Sequence, residues 1–260
     1  MRYRFIGQLI LLGIFIGVPV NALAEDINAV LDWSDKRKLG TTVSGKVTKL
    51  HVRPGMHVKA GEVMLELDPR YFKVRQSLAK ARMDAARLQM EEAQREQERA
   101  IELFDRTVLS VFDRQKADID LASATASYAE VKAEYEEARL DMEYSKIVAP
   151  YDGIVLNVNS AAGEVVVNEN SSVTLIELAR GDEMLARTFL SSDQLSKITL
   201  GQQVRAAFRG QWVDAEVHSM SLEADTTDPQ TIRYLVTARL KVSPDDSARA
   251  GEVSAIRLPD

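Results

Sequence analysis

Few residues of this chain have the type and spacing to carry out chemistry. The histidines are His51, His57 and His218, and there is no cysteine. His51 and His57 are an even number of residues apart, so within one strand they would share a face, and with Met56 they would suit a soft metal. The turn signal Pro54-Gly55 falls between them and breaks that strand, so they read as surface histidines and no metal site is expected. No serine, histidine and acid stand at the spacing of a nucleophilic triad, and no glycine-rich phosphate loop or paired-carboxylate pocket stands out. Glu91-Glu92 and Glu134-Glu136-Glu137 lie in helix-forming sequence and read as solvated faces. The lack of cysteine excludes disulfides, thiolate metal ligands and thiol chemistry. A net charge of -6 lacks the concentrated positive field that nucleic-acid binding needs. The sequence therefore gives no catalytic residue and no cofactor, and the chain does not read as an enzyme.

The N-terminus has the order of an export signal. Arg2 and Arg4 precede an apolar run from Phe5 to Val20, and Ala22-Leu23-Ala24 supplies a small-x-small cleavage pattern. Residues 1–24 are read as a signal peptide. The alternative is an uncleaved anchor, for which the run is short against the roughly twenty residues of a membrane span. Residues 25–42 show no strong periodicity and are expected to form an extended lead-in. Two β-rich stretches follow, over 43–68 and 147–179. Each runs glycine, alternating strand, glycine turn, second strand and an apolar-acid-apolar ending, as in Leu65-Glu66-Leu67 and Ile176-Glu177-Leu178.

Residues 69–146 separate the two stretches. Asp68-Pro69 is a helix start signal. From Tyr71 to Phe104 there is no glycine or proline, and helix formers dominate. Tyr71, Val74, Leu78, Ala81, Ala85 and Leu88 recur at three- and four-residue steps, after which Met90, Ala93, Gln97 and Ala100 continue on a neighbouring face. The returning arm holds a strict heptad seam through Ala117, Leu121, Ala124, Tyr128, Val131, Tyr135, Ala138 and Met142. Each arm of roughly 35 residues is roughly 50 Å long at 1.5 Å per residue. The joining turn falls near Asp105 to Ser110, without glycine or proline, and Ser110 can cap the second helix. The narrow seam and charged outer faces favour a projecting antiparallel coiled-coil hairpin over a helix pair folded onto a core. Over 180–260, alternating strand patterns around a short capped helix at Ser191–Ile198 indicate a small β-barrel.

This order of elements resembles the periplasmic adaptors, or membrane fusion proteins, of bacterial tripartite efflux pumps, in a minimal form of the resistance-nodulation-division type. The phrases that carry the resemblance are Val52-x-x-Gly55-x-x-Val58-x-x-Gly61-Glu62 and Ala149-Pro150-Tyr151-Asp152-Gly153-Ile154-Val155. They are similar to the halves of a split lipoyl or biotinyl domain. The implied fold is mixed α+β: a split lipoyl-like β-sandwich with an inserted antiparallel coiled-coil hairpin, followed by a small β-barrel. The family's tip pattern, Arg-x3-Leu-x6-Ser, matches Arg99, Leu103 and Ser110. The resemblance assigns these residues to contact with an outer-membrane channel. It further implies a periplasmic location, an inner-membrane transporter partner of the resistance-nodulation-division type, and self-association into a hexameric ring. Adaptors of ATP-driven or type I secretion exporters are the alternative, although the latter carry longer hairpins and membrane anchors. A biotin or lipoate carrier subunit is a further alternative. In such a carrier the cofactor sits on a lysine at a β-turn, and here the hairpin replaces that turn; Lys73 and Lys146 flank the splice in helix-like sequence. Many adaptors carry another membrane-proximal β-domain, which this sequence, running to Asp260, is expected to lack.

Overall fold

The segment expected to be an extended lead-in carries two strands, β1 (Asp26–Trp33) and β2 (Lys36–Leu39). The computed structural model describes residues 25–168, 173–225, 232–243, 246 and 248–258. The expected signal peptide over 1–24 lies outside the described residues.

The two β-rich stretches trade strands with one another. The first supplies β3 (Gly45–Leu50), β4 (His57–Val58) and β5 (Val63–Leu67). Two helices follow, α1 (Pro69–Asp105) and α2 (Val111–Tyr144). The second stretch supplies β6 (Lys146–Val148), β7 (Gly153–Val158), β8 (Val165–Val166) and β9 (Ile176–Arg180). One sheet has the order β2-β9-β7-β4 and the other β6-β5-β3-β8. Each sheet therefore holds strands from both sides of the helices: β4 pairs with β7, and β8 with β3. Neither stretch can bury its apolar face without the other. Their shared core includes Val47, Met64, Leu65, Ile176 and Leu178, all 0 % exposed, and it takes in Phe72 from the first turn of α1.

Glycine serves the sandwich in two different ways. Gly163 lies at φ +96, in the left-handed region that suits its expected turn. Gly153 opens β7. A Cβ there would lie 2.4 Å from the carbonyl oxygen of Ala179 on the neighbouring β9, so close strand approach is what demands glycine.

The helices run antiparallel, as three cross-helix contacts fix. Arg75 bonds Asp141 at 2.8 Å, Arg82 meets Glu134 at 3.6 Å, and Gln97 bonds Asp118 at 2.8 Å. Partner numbers fall as α1 numbers rise. The seam on α2 follows the expected heptad: Ala138 is buried, and Ala117, Leu121, Ala124, Tyr128, Val131, Tyr135 and Met142 are partly buried. On α1 the expected register is wrong over the half nearer the sandwich, whereas Met90, Ala93, Gln97 and Ala100 fall on the seam. Tyr71, Val74, Leu78, Ala81, Ala85 and Leu88 are all exposed. The seam is Phe72, Gln76, Ala79, Met83, Ala86, Met90, Ala93, Gln97, Ala100 and Phe104, an unbroken heptad without a shift. Size explains the choice. Bulky Tyr128, Tyr135 and Met142 on α2 need small or flexible partners, and the Ala/Met stripe supplies them while the Leu/Val/Tyr stripe cannot.

A separate unit is a closed barrel. Its strands are β1, β10 (Glu183–Leu190), β11 (Gln203–Phe208), β12 (Gln211–Asp225), β13 (Arg233–Lys241) and β14 (Val253–Arg257), in the order β1-β10-β13-β12-β11-β14. A ring of six strands encloses little space, so its interior is rich in small side chains such as Ala186, Ala206 and Ala238, each 0 % exposed. Two of its buried hydroxyls bond the main chain: Thr188 donates to the Asn28 carbonyl at 2.7 Å and Ser254 to the Ala207 carbonyl at 2.6 Å. The barrel takes β1 from before the sandwich as well as strands from the expected 180–260 segment. The inward alternation of Ala29 and Leu31 marks β1, masked in the sequence by exposed Val30 between them. The short helix α3 (Ser192–Leu195) opens with the Ser191–Gln194 capping box.

Candidate functional site

The functional candidate is the free end of the helix pair, and the opposite end shows why that end is held in place. Asp68 caps α1 by accepting from the Arg70 amide at 3.0 Å. The Arg70 guanidinium bonds the same carboxylate and holds its pKa down at about 2. The Leu67 amide donates to the Ser145 carbonyl at 2.8 Å, joining the strand that enters α1 to the residue that ends α2. The Thr41 hydroxyl donates to the Tyr144 carbonyl at 2.6 Å. With Phe72 sunk in the sandwich core, both helices are rooted. The 37 residues of α1 then carry its far end about 55 Å away at 1.5 Å per residue.

The link at that far end is a helix-terminating motif made without glycine. The Thr107 amide donates to the Phe104 carbonyl at 2.8 Å and the Val108 amide to the Leu103 carbonyl at 3.0 Å. These two bonds define a Schellman cap. The motif puts its C′ residue in the left-handed region, and Thr107 is there at φ 61. A β-branched residue in that conformation is strained. Sequence reasoning foresaw a compact turn but not its form, because threonine occupies the position where glycine is the usual signal. The Arg114 guanidinium lies 5.3 Å from the Phe104 ring centre and closes the link from the α2 side.

Of the residues assigned by resemblance, Arg99 and Leu103 line one open groove of about 740 Å³ along the outer hairpin, with Leu109, Asp113 and Lys116. Arg99 is ion-paired within its own helix, to Glu96 at 2.7 Å and Glu92 at 3.3 Å. Such exposed pairs are weak and exchange readily for a partner's carboxylate or carbonyl. Arg95, hydrogen-bonded to Glu92, holds that carboxyl below the usual range, and Arg99 adds to the effect. Ser110 does not line the groove. Its hydroxyl donates to the Asp113 carboxylate at 2.6 Å and accepts from the Asp113 amide at 3.2 Å, so it serves as the N-cap of α2.

The sequence reading missed how apolar this end is. Val108 is 72 % and Phe112 73 % exposed, and Leu103 and Val111 are exposed beside them in the chain. Large apolar side chains grouped at the end of a charged shaft make this end the candidate contact surface. The signal was present in Val108-Leu109-Ser110-Val111-Phe112, an apolar run across a predicted turn where polar residues are the norm. Away from this end, His51 is bonded to Glu66 at 2.8 Å and His57 is exposed on β4.

Residues 36–178 match the barrel-sandwich hybrid domain of RND membrane fusion proteins (RND MFP). No curated protein matches the sequence. Among solved structures, the chain is 25% identical to a MacA–MexA chimaera containing the α-hairpin domain of Pseudomonas aeruginosa MexA, with a TM-score of 0.69 over 90% of this chain and 80% of that one. A membrane fusion protein of Streptococcus pneumoniae R6 matches with the same TM-score of 0.69 at 14% identity, over 91% of this chain and 99% of that one. MacA from Actinobacillus actinomycetemcomitans matches with a TM-score of 0.61 at 20% identity, over 91% and 79%. The last two likenesses speak to the fold alone.

Proposed function

The chain belongs to the RND membrane fusion protein family, and from that premise we infer that it is a periplasmic adaptor joining an inner-membrane transporter of the resistance-nodulation-division type to an outer-membrane channel. It acts by assembly rather than catalysis. The strand-exchanged sandwich serves as a lipoyl-like base, and the helix pair is a coiled-coil strut. Copies associate into a hexameric ring, and the hairpin ends dock together on the channel. Arg99 and Leu103 make that contact, and Ser110 fixes the first turn of α2 that presents Phe112.

The observation that carries this reading is the polarity of the hairpin. One end is rooted by Phe72 and by main-chain bonds to the sandwich, and the other presents Leu103, Val108 and Phe112 to solvent. A single end offers a small contact, so a ring of ends supplies avidity. The test is export in cells that lack the native gene. The wild-type chain restores export, and Leu103→Asp or Arg99→Asp abolishes it while leaving the circular dichroism spectrum unchanged. Full export by the Arg99→Asp/Leu103→Asp double variant would remove the tip assignment.

A further inference from the structure

Both helices leave the sandwich from the same sheet. α1 follows β5 through Asp68, α2 runs into β6 through Ser145, and β5 and β6 are paired neighbours in the sheet β6-β5-β3-β8. Two roots side by side in one sheet form a hinge line, about which a hairpin tips out of the plane of that sheet. The Leu67–Ser145 main-chain bond lies on the same line. Phe72 resists tipping from the side of α1, because its ring enters a core that draws on both sheets. The matching restraint on α2 has to act at its C-terminal end.

That end is closed from outside the helix. Its C-cap, Ser145, keeps a right-handed backbone at φ -67 and ψ -5, so no left-handed residue folds the last turn back on itself. The last carbonyls need other donors. Met142 accepts from the Ser145 hydroxyl at 2.6 Å, and Tyr144 accepts from the Thr41 hydroxyl at 2.6 Å. Thr41 is buried, and its hydroxyl has one proton to give. The Val43 amide donates to the same oxygen at 3.2 Å, which leaves that proton for Tyr144.

Thr41 stands off the hinge line. It follows β2 of one sheet and precedes β3 of the other, in a connection that crosses the sandwich. Asn168 lies after β8 and before β9, at the start of the return crossing. Its side-chain amide donates to the Thr41 carbonyl at 2.9 Å, and its main-chain amide donates to the Ser44 hydroxyl at 3.0 Å. Gly40 is pressed against the chain just ahead of β9, where a Cβ would lie 2.4 Å from the Val173 carbonyl oxygen. The loop that holds α2 is itself held, by a side chain and by close backbone approach.

We propose that Thr41 is a positioning residue whose hydroxyl fixes the inclination of the hairpin on the sandwich, with Asn168 holding Thr41 in place. Its consequence for docking rests on the adaptor reading. Leverage gives one bond its weight. The far end stands about 55 Å from the base, so a tilt of about 10° displaces it by about 10 Å, the width of a helix. A displacement of that size takes Leu103 and Phe112 off a partner.

The chain has no cysteine, so a pair of spin labels can be placed without background. Lys59→Cys, just beyond β4, and Ser123→Cys, on α2, are both exposed and report the inclination as a distance distribution by double electron–electron resonance. The full-length labelled chain is measured in an excess of unlabelled chain and gives a narrow distribution. Thr41→Val keeps the shape and removes the hydroxyl. Ser123 stands about 30 Å up the helix, so release by about 10° should broaden the distribution by about 5 Å. Export in cells that lack the native gene should fall with it. Thr41→Ser keeps the hydroxyl and should restore both the narrow distribution and export. Asn168→Ala leaves Thr41 in place but unheld and should broaden the distribution by less; it decides the matter if Thr41→Val does not fold, and a width equal to wild type would then overturn the proposal. A lower melting temperature for Thr41→Val without broadening would overturn it, as would a Thr41→Ser chain as broad as Thr41→Val. Broadening with full export would overturn the link to docking. A narrow wild type, a broad Thr41→Val and no export from either would keep the clamp and remove the adaptor reading.

Discussion

The two ends of the helical hairpin obey opposite rules. At the base Phe72 is 3 % exposed, the helix start is capped by Asp68, and the strands leading in and out are joined by a main-chain bond. At the far end Phe112 is 73 % exposed, and Thr107 holds a left-handed conformation that glycine would adopt freely. The same pair of helices is finished at one end and unfinished at the other. Stability is invested where the hairpin meets the sandwich, and the remote end keeps exposed apolar area and backbone strain, a pattern that belongs to a contact surface.

Substitutions at the base should produce the largest losses of stability. Phe72→Ala removes a buried ring from the core and should cost about 3–5 kcal/mol in urea denaturation. A loss below about 1 kcal/mol would mean that the hairpin is not rooted by that ring. Gly153→Ala comes next. Its new Cβ would meet the Ala179 carbonyl, and the strand shift should cost about 1–3 kcal/mol. At the far end the sign reverses. Thr107→Gly relieves the left-handed threonine and should stabilise the protein by about 1 kcal/mol, less whatever entropy glycine adds to the unfolded chain. Leu103→Asp should leave stability within about 0.5 kcal/mol while export is lost.

The base also carries an acid-sensitive cap. The folded pKa of Asp68 is depressed from 3.8 to about 2. Its contribution is therefore complete above the unfolded value and is lost as pH falls from about 3.8 through about 2. Over that window Asp68→Asn should show a weaker pH dependence of stability than the wild-type chain. An unchanged slope would detach the charge of Asp68 from the base.

The sequence was most legible where one pattern had one solution. The split β-stretches, the α2 seam and the Ser191 cap each follow from local spacing. The inner half of the α1 seam was not legible, because two stripes at helical spacing compete there and the more hydrophobic one lost. What decides between them is the bulk of Tyr128 and Tyr135 on another helix, which spacing within α1 cannot report. The lead-in failed for a related reason. β1 earns its strand by pairing with β14, across the length of the chain, from Asp26↔Arg257 to Val30↔Val253. At the candidate site, Arg99 and Leu103 were found through resemblance and share a groove. The exposure of Val108 and Phe112 depends on Thr107 turning the chain in a conformation its residue type argues against.

Docking of the remote hairpin end is the claim on which the account turns. Leu103→Cys, carrying a thiol-linked photocrosslinker in the otherwise cysteine-free chain, tests it directly in cells that export. The account predicts an adduct with an outer-membrane channel protein from Leu103 and none from the same probe at Ser77, low on the shaft. Adducts from Ser77 alone, with export intact, would contradict it.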